Sequence, residues 1–322
     1  MNIVVTGVAG FIANKVADIL LKSGKNVIGI DNINDYYDVR IKEYRLKQLK
    51  KYPNFKFFKT DIEDIKTLDK IFSKNKISSV INLAARAGVR YSMENPFVYV
   101  STNMMGTLNL LEMCRKYKIN KFVIASTSSL YAGQKMPFTE KLAVNTPISP
   151  YAASKKGAEA MCYSYHYLYG IDISVVRYFT VYGPAGRPDM SIIRFIKWID
   201  ECTPIELFGD GSQSRDFTYI DDIAKGTIKA LKKVGFEIMN LGGGNNPYEL
   251  NYVIKLIEQY LGKKAKINKK PFHKADIVAT WADISQAKKI LNWQPTVSLE
   301  KGIKNTVEWY LENKSWFKNI KL

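Results

Sequence analysis

A glycine turn between an apolar run and a helical one sets the architecture of this chain. Residues 3–6 are short and apolar. The stretch Val5-Thr6-Gly7-Val8-Ala9-Gly10-Phe11-Ile12 follows, and residues 11–21 repeat apolar side chains at helical spacing. A strand that turns into a helix through closely spaced glycines is the opening of a parallel βαβ unit. The alternation then continues. Further strands are predicted over residues 26–31, 55–59, 80–84, 122–125 and 173–178, and helices over 40–51, 97–117 and 150–170. Such a pattern implies an α/β fold with a doubly wound parallel sheet. Right-handed crossovers place the ligand crevice of that sheet at the carboxyl ends of its strands.

After Tyr182-Gly183-Pro184 the alternation stops, and Pro184, Gly186 and Pro188 mark a loop into a second module. The expected division is a dinucleotide-binding Rossmann domain over residues 1–180, to which 217–245 returns, and a smaller C-terminal α/β substrate domain from 181–216 and 246–322. A chain of 322 residues that is 46% hydrophobic has enough apolar matter for both. Its net charge of +18 raises the question of nucleic acid. The lysines are scattered rather than striped, so an ordinary basic surface is the better reading and no nucleic acid partner is expected. Cys114, Cys162 and Cys202 have neither metal-site spacing nor a paired framework, so no metal is expected and the thiols suit a reducing compartment. No apolar run reaches the ~18 residues of a spanning helix. Residues 1–5 read as a strand rather than a signal peptide. The expectation is a cytoplasmic protein with no membrane partner.

Two sites follow from the pattern. At the first, Gly7 can take a tight turn, Gly10 lets backbone amides approach a pyrophosphate, and Ala13 stands where a third glycine often sits. Asp31 ends the second strand, where a carboxylate accepts from ribose hydroxyls and repels a 2′-phosphate, which favours NAD over NADP. Asp61-Ile62, after the third strand, can border the adenine; a helix cap is the plainer alternative for Asp61. At the second site, Tyr151 and Lys155 lie one helical turn apart on one face. An ammonium beside a phenol lowers its pKa from about 10. A phenolate next to a bound nicotinamide can take a proton from a sugar hydroxyl as hydride leaves the carbon. Thr127, Ser128 and Ser129 follow a buried strand, where hydroxyls point into the crevice; a loop or cap is the alternative.

These motifs resemble the extended short-chain dehydrogenase/reductase family over nearly the whole chain. The resemblance rests on the glycine turn, Asp61, Asn82-Leu83-Ala84-Ala85, Thr127, the Tyr151/Lys155 pair and Arg177-Tyr178-Phe179-Thr180-Val181-Tyr182-Gly183-Pro184. Within the family the chain looks most like the nucleotide-sugar 4-epimerases that act on UDP-glucuronate, through Asp31-Asn32-Ile33-Asn34-Asp35-Tyr36-Tyr37, Ala87-Gly88-Val89-Arg90-Tyr91-Ser92 and Gly186-Arg187-Pro188-Asp189-Met190. The resemblance implies a tightly held NAD met by Gly7, Gly10, Phe11, Ile12, Asp31, Asn32, Asp61, Ile62, Leu83, Ala84, Ala85, Tyr151, Lys155 and Tyr178. It makes Tyr151 the general base, Lys155 the holder of the nicotinamide ribose, and Thr127 the contact of the sugar 4-hydroxyl. It also implies a homodimer through the helices at 97–117 and 150–170.

For the UDP-sugar, the resemblance assigns Arg215 to the phosphates, Phe208 to the uracil and Asp276 to the uridine ribose; His273 replaces an arginine of some relatives. Arg187 is the candidate for a sugar carboxylate, because its planar fork donates bidentate bonds. A loop ion pair is its plainer alternative. Arg90, Ser128, Ser129 and Thr180 are further candidate contacts. Arg86 departs from the glutamine that relatives often carry. Ser128-Ser129 stand where sugar 4,6-dehydratases have an acidic pair, which ranks dehydration low. A 4-keto uronate is a β-keto acid, so a pocket that fixes its carboxylate gives an epimerase and one that frees it gives a decarboxylase. UDP-glucose/UDP-galactose 4-epimerase and UDP-glucuronate decarboxylase are the alternatives within the family. A non-catalytic dinucleotide sensor or nucleic-acid binder is the alternative outside it.

Overall fold

A computed structural model describes residues 1–244, 247–271 and 278–322. Its centre is one seven-stranded sheet. Six strands come in chain order: β1 (Asn2–Thr6), β2 (Asn26–Asp31), β3 (Phe55–Lys59), β4 (Ile77–Asn82), β5 (Lys121–Thr127) and β6 (Asp172–Tyr178). Across the sheet they run β3-β2-β1-β4-β5-β6, and Phe236–Leu241 adds the seventh strand beside β6. Every pairing is parallel. The doubly wound α/β fold is therefore present. Its order reverses between β1 and β4, and that is where a crevice must open.

Both sheet faces are covered, as a parallel sheet requires. Val5, Val8, Leu20, Ile81, Val123 and Val176 belong to one apolar cluster. Val4, Ile28, Val80, Ile124 and Val175 belong to the other. Neighbouring strand residues thus serve opposite faces, the period-2 consequence of the pleat. A third cluster gathers the helices Ser191–Asp200, Leu250–Leu261 and Leu299–Phe317 around Ile193, Ile196, Ile254, Ile257 and Ile303. Short strand pairs edge this third body: Ile205–Phe208 with Ile267–Lys270, and Ser214–Arg215 with Tyr248–Glu249. No helix among the described residues is long and apolar enough to cross a membrane.

Several elements differ from the sequence reading. The strand expected at 80–84 lies at Ile77–Asn82 instead. It ends there because the Leu83 and Ala84 amides leave the ladder and donate to the Thr6 hydroxyl at 3.2 and 3.1 Å. Ile65–Ser73, which the reading leaves unassigned, is a helix. Asp64 caps it by accepting from the Thr67 amide at 3.0 Å, and Leu68, Ile71 and Phe72 form its buried stripe. The single helix expected over 97–117 is continuous, but its Val100–Met105 portion is wound as a π-helix between Phe97–Tyr99 and Gly106–Lys116. Such a segment re-aims side chains that a regular helix would send elsewhere.

One buried carboxylate on the helix Ile220–Lys229 gathers several bonds from the C-terminal residues. Asp222 is 1% exposed. It accepts from the Thr296 amide (2.9 Å), the Thr296 hydroxyl (2.8 Å) and the Val297 amide (2.9 Å), and its own carbonyl accepts from the Trp293 indole at 2.9 Å. Replacing the carboxylate removes the acceptor of two part-buried amides and a hydroxyl and leaves a gap where a buried side chain stood. Asp222→Ala is expected to lower stability by about 2–4 kcal/mol. Thermal unfolding followed by circular dichroism checks this, with Tm falling by about 5–10 °C.

Candidate active site

The crevice between β1 and β4 is shaped by a close backbone approach. Gly7 has φ +69°, and a Cβ there would lie 2.9 Å from the Ala84 Cα and nitrogen. At Gly10 a Cβ would meet the Gly7 carbonyl at 2.8 Å. Only glycine tolerates these positions, and the turn leaves a cradle of backbone at the amino end of the helix Phe11–Lys22. Thr6 organises the floor: its hydroxyl donates to Asn82 Oδ1 at 2.7 Å while accepting from the Leu83 and Ala84 amides. Asp31 is fixed beside the turn by the Ala9 amide (3.0 Å to Oδ2) and the Ile33 amide (2.7 Å to Oδ1). Asn32 donates its side-chain amide to Asp61.

One cavity of ≈ 250 Å³ runs from this turn to the tyrosine. It is lined by Gly7, Gly10, Phe11, Ile12, Asp31, Asn32, Asp61, Ile62, Leu83, Ala84, Ala85, Thr127, Tyr151, Lys155, Tyr178 and Arg187. The chain thus brings together residues that are up to 183 positions apart, from Gly7 to Met190. Thr180 lines a smaller space that shares Phe11, Arg187 and Met190 with this cavity. Ser128 and Ser129 sit in a single 3₁₀ turn after β5, where Thr127 Oγ1 accepts from the Ser129 amide at 3.1 Å. Arg90 and Phe208 form a stacked pair, with the guanidinium 4.1 Å from the ring centroid. Arg215 donates to the Ser214 and Val278 carbonyls at 2.9 and 3.2 Å. These last five residues do not line the main cavity. Asp276 and His273 lie outside the described residues.

Spacing alone makes Lys155 the cation that acts on the phenol. The structure gives a different local picture. Lys155 Nζ donates to the Ala125 carbonyl at 2.9 Å, and burial lowers its pKa to about 8 against the opposing charge of Glu159. Burial raises the Tyr151 pKa, while a hydrogen bond with Thr127 and the positive charge of Arg187 pull it down. In this geometry Arg187 adds a second cation to the surroundings of the phenol, while Lys155 is held by the Ala125 carbonyl. The plainer alternative for Arg187 is also realised, since it makes a bidentate pair with Asp189 at 3.0 and 2.5 Å. That fork still borders the cavity, and its positive charge reaches the phenol.

Sequence reasoning missed a wall of this cavity. Tyr36 and Tyr37 line it together with Asn34, Lys42 and Arg86. The Arg187 guanidinium lies 5.6 Å from the Tyr36 centroid and 5.7 Å from that of Tyr37; Arg86 lies 5.7 Å from Tyr36, and Lys42 4.6 Å from Tyr37. Rings between cations are favourable contacts and hold the cations apart. Arg45, 1% exposed, braces this wall. It donates to the Tyr37 hydroxyl (2.8 Å), to the Ala9 carbonyl (3.2 Å) and twice to the Ala185 carbonyl (3.0 and 2.7 Å). The readable signal was the paired tyrosine after an Asn/Asp-rich turn.

The chain matches the family model for GDP-mannose 4,6 dehydratase over residues 4–306. It belongs to that family of extended short-chain dehydrogenases/reductases. Among the family's members, it is 62% identical over 318 residues to the UDP-glucuronate 4-epimerase of Thermodesulfobacterium geofontis, covering 99% of this chain and 98% of that one. The crystal structure of UDP-glucuronic acid 4-epimerase from Bacillus cereus, in complex with UDP-glucuronic acid and NAD, superposes with a TM-score of 0.91 at 38% identity, covering 97% of this chain and all of that one. The UDP-glucose 4-epimerase of Thermotoga maritima, solved with UDP-glucose, gives a TM-score of 0.89 at 33% identity over 98% of this chain and 100% of its own.

The π-helical segment supplies one more residue that spacing could not reveal. Asn103 is 1% exposed. It accepts from the Arg86 amide at 2.9 Å and donates to the Arg86 carbonyl at 3.0 Å and to Ser154 Oγ at 2.9 Å. It clamps the cavity loop to the helix that carries Tyr151. Asn103→Ala is expected to speed hydrogen exchange of the Arg86 amide by about tenfold or more. Amides of β5 should be unaffected in the same mass-spectrometric experiment.

Proposed function

We propose that this chain is an NAD-dependent 4-epimerase that interconverts UDP-glucuronate and UDP-galacturonate through a 4-keto intermediate. The observation that carries the reading is the presence of Arg187, a guanidinium of a kind that suits a carboxylate, in the cavity lined by Tyr151, Lys155 and Thr127. Relatives of this name align end to end with the chain and support it.

The residues present fit a dinucleotide. Glycine is required at 7 and 10 by the space around them, and the Asp31 carboxylate beside the turn suits ribose hydroxyls and disfavours a 2′-phosphate. Residues 1–180 with 217–245 form the cofactor side on this reading, and 181–216 with 246–322 the sugar-nucleotide side. Bound NAD would supply the hydride acceptor at C4 and return the hydride to the opposite face of the ketone. The chain's own residues do the rest. Tyr151 accepts the 4-hydroxyl proton, which requires its phenol to ionise. Thr127 bonds the phenol and is placed to bridge it to the sugar oxygen. Lys155 favours the phenolate by its charge and holds the nicotinamide ribose. Arg187 fixes the carboxylate so that the C–CO2 bond stays out of line with the C4 carbonyl, which suppresses loss of carbon dioxide. Arg90 stacked on Phe208 and Arg215 serve the nucleotide, with Ser128, Ser129 and Thr180 as further sugar contacts; Asp276 completes this assignment from sequence. No carboxyl stands at 128 or 129 for the elimination that a dehydratase performs.

A homodimer belongs to the same proposal. Phe97 is 82% exposed, and Val100, Met105, Tyr163, Tyr167 and Leu168 are exposed on the two helices expected to pair. An apolar face of this kind marks an interface. Cys114 and Cys162 are buried free thiols, which suits work in a reducing cytoplasm.

The purified protein should convert UDP-glucuronate to UDP-galacturonate without added NAD, read by NMR of the sugar protons. UDP-pentose would instead mean a decarboxylase. No conversion with NAD added would point to another sugar, UDP-glucose first. Tyr151→Phe should retain bound NAD and lose about 10²–10⁴-fold in kcat. Arg187→Ala should raise KM for the uronate about tenfold or more and release some UDP-pentose; a variant that handles the uronate like wild type removes Arg187 from this role.

A further inference from the structure

The helix Pro150–Tyr169 buries a third polar residue on the face of Tyr151 and Lys155. Glu159 lies one turn beyond Lys155 and is 2% exposed. Its carboxylate accepts from Arg177 Nε at 2.9 Å and Nη2 at 2.7 Å and from Ser126 Oγ at 2.6 Å. Arg177, on β6, is itself 1% exposed. Its third nitrogen donates to the Tyr131 hydroxyl at 2.7 Å, which in turn donates to Asn240 Oδ1 at 2.8 Å. One connected chain of bonds thus runs from the edge strand through β6 to the helix and on to β5. Its β5 member, Ser126, directly follows Ala125, whose carbonyl accepts from the Lys155 ammonium.

A buried pair of this kind is weak evidence for stability, since apolar residues of similar volume often serve as well. Its placement suggests another role. Lys155 is 5% exposed and desolvation works against its charge. The groups that act on it are Glu159 and the buried thiol of Cys162 on its own helix and the Ala125 carbonyl of β5, with Arg177 of β6 paired to Glu159. Lys156 stands 4.0 Å from the Glu159 carboxylate on the outer side. The attraction of Glu159, one helical turn away, is the main influence opposing desolvation.

We propose that Glu159, locked by Arg177, is a positioning residue that holds Lys155 as a cation and fixes its helix on β5 and β6. This rests on the proposed catalytic roles of Lys155 and Tyr151. The test is the pH profile of kcat in Glu159→Gln/Arg177→Met, where both charges leave together and neither is stranded. Without Glu159 the ammonium gives up its proton at lower pH. The alkaline limb of kcat should therefore move down by about one pH unit, about a tenfold loss of kcat above it. KM for the UDP-sugar should change less than about threefold. Glu159→Gln alone, which keeps an acceptor for Ser126, should shift the limb in the same direction. It provides the test if the double variant does not fold. A uniform fall in kcat across pH with an unmoved limb would overturn the proposal and leave the pair a structural brace. Wild-type turnover in the same assay, with Tyr151→Phe inactive, keeps the catalytic reading itself separate from this outcome.

Discussion

The site depends on a single close approach, that of the Gly7 turn to the backbone of Ala84. At a switch point two adjacent parallel strands send their chains to opposite faces of the sheet, and a gap opens between them. Here β1 and β4 are those strands, and the gap is held to its width by Thr6, whose hydroxyl bonds Asn82, Leu83 and Ala84 at once. A side chain at position 7 would push these strands' ends apart. Several walls of the cavity are referenced to this joint. Asp31 is fixed to the turn through the Ala9 amide, Arg45 spans from Ala9 to Ala185, and the loop after Ala84 carries Arg86.

The first half of the fold was legible because a buried parallel strand is a short continuous apolar run, and helices between such runs have one apolar stripe. β2 and β3 appear at the residues read from the sequence. What escaped was local polar chemistry. Leu83 and Ala84 are apolar and read as strand, yet a hydroxyl 77 and 78 positions upstream takes their amides out of the ladder. The π-helical turn at Val100–Met105 has no periodic signature, because it is fixed by what Asn103 and Thr102 bind outside the helix. At the site, the Tyr151/Lys155 spacing and the glycine turn were visible as motifs. The ring-and-cation wall of Tyr36, Tyr37, Arg86 and Arg187 was not, since its members come from three separated loops.

The cations in that wall also show where the chain's basic excess has a local use. Lys42, Arg86 and Arg187 border one cavity, and Arg45 lies directly behind it. Packed without rings between them, they would repel one another strongly in a partly desolvated space. Tyr36 and Tyr37 separate them and offer π faces to each. The burial of Lys42 lowers its pKa to about 8, and neighbouring Arg86, Arg45 and Arg187 push the same way while Asp31 opposes them. A cavity so charged attracts a ligand bearing several negative groups, which a dinucleotide and a nucleotide-linked uronate both are.

The family model that fits this chain is named for a dehydratase, and the geometry explains why the proposed reading differs. Eliminating water across a sugar's C5–C6 bond needs an acid and a base beyond the tyrosine. The turn that follows Thr127 offers two serines there, one of which is bonded to Thr127 itself. What this chain has instead is a guanidinium, in the same cavity as the phenol and made rigid by Asp189. A rigid bidentate fork sets the plane of a carboxylate as well as its position. Decarboxylation of a β-keto acid requires the C–CO2 bond to align with the carbonyl π system. An arginine that fixes the carboxylate off that alignment therefore selects between two fates of one intermediate without adding a catalytic group. On the proposed reading, the pairing with Asp189 holds the Arg187 guanidinium in place for that selection.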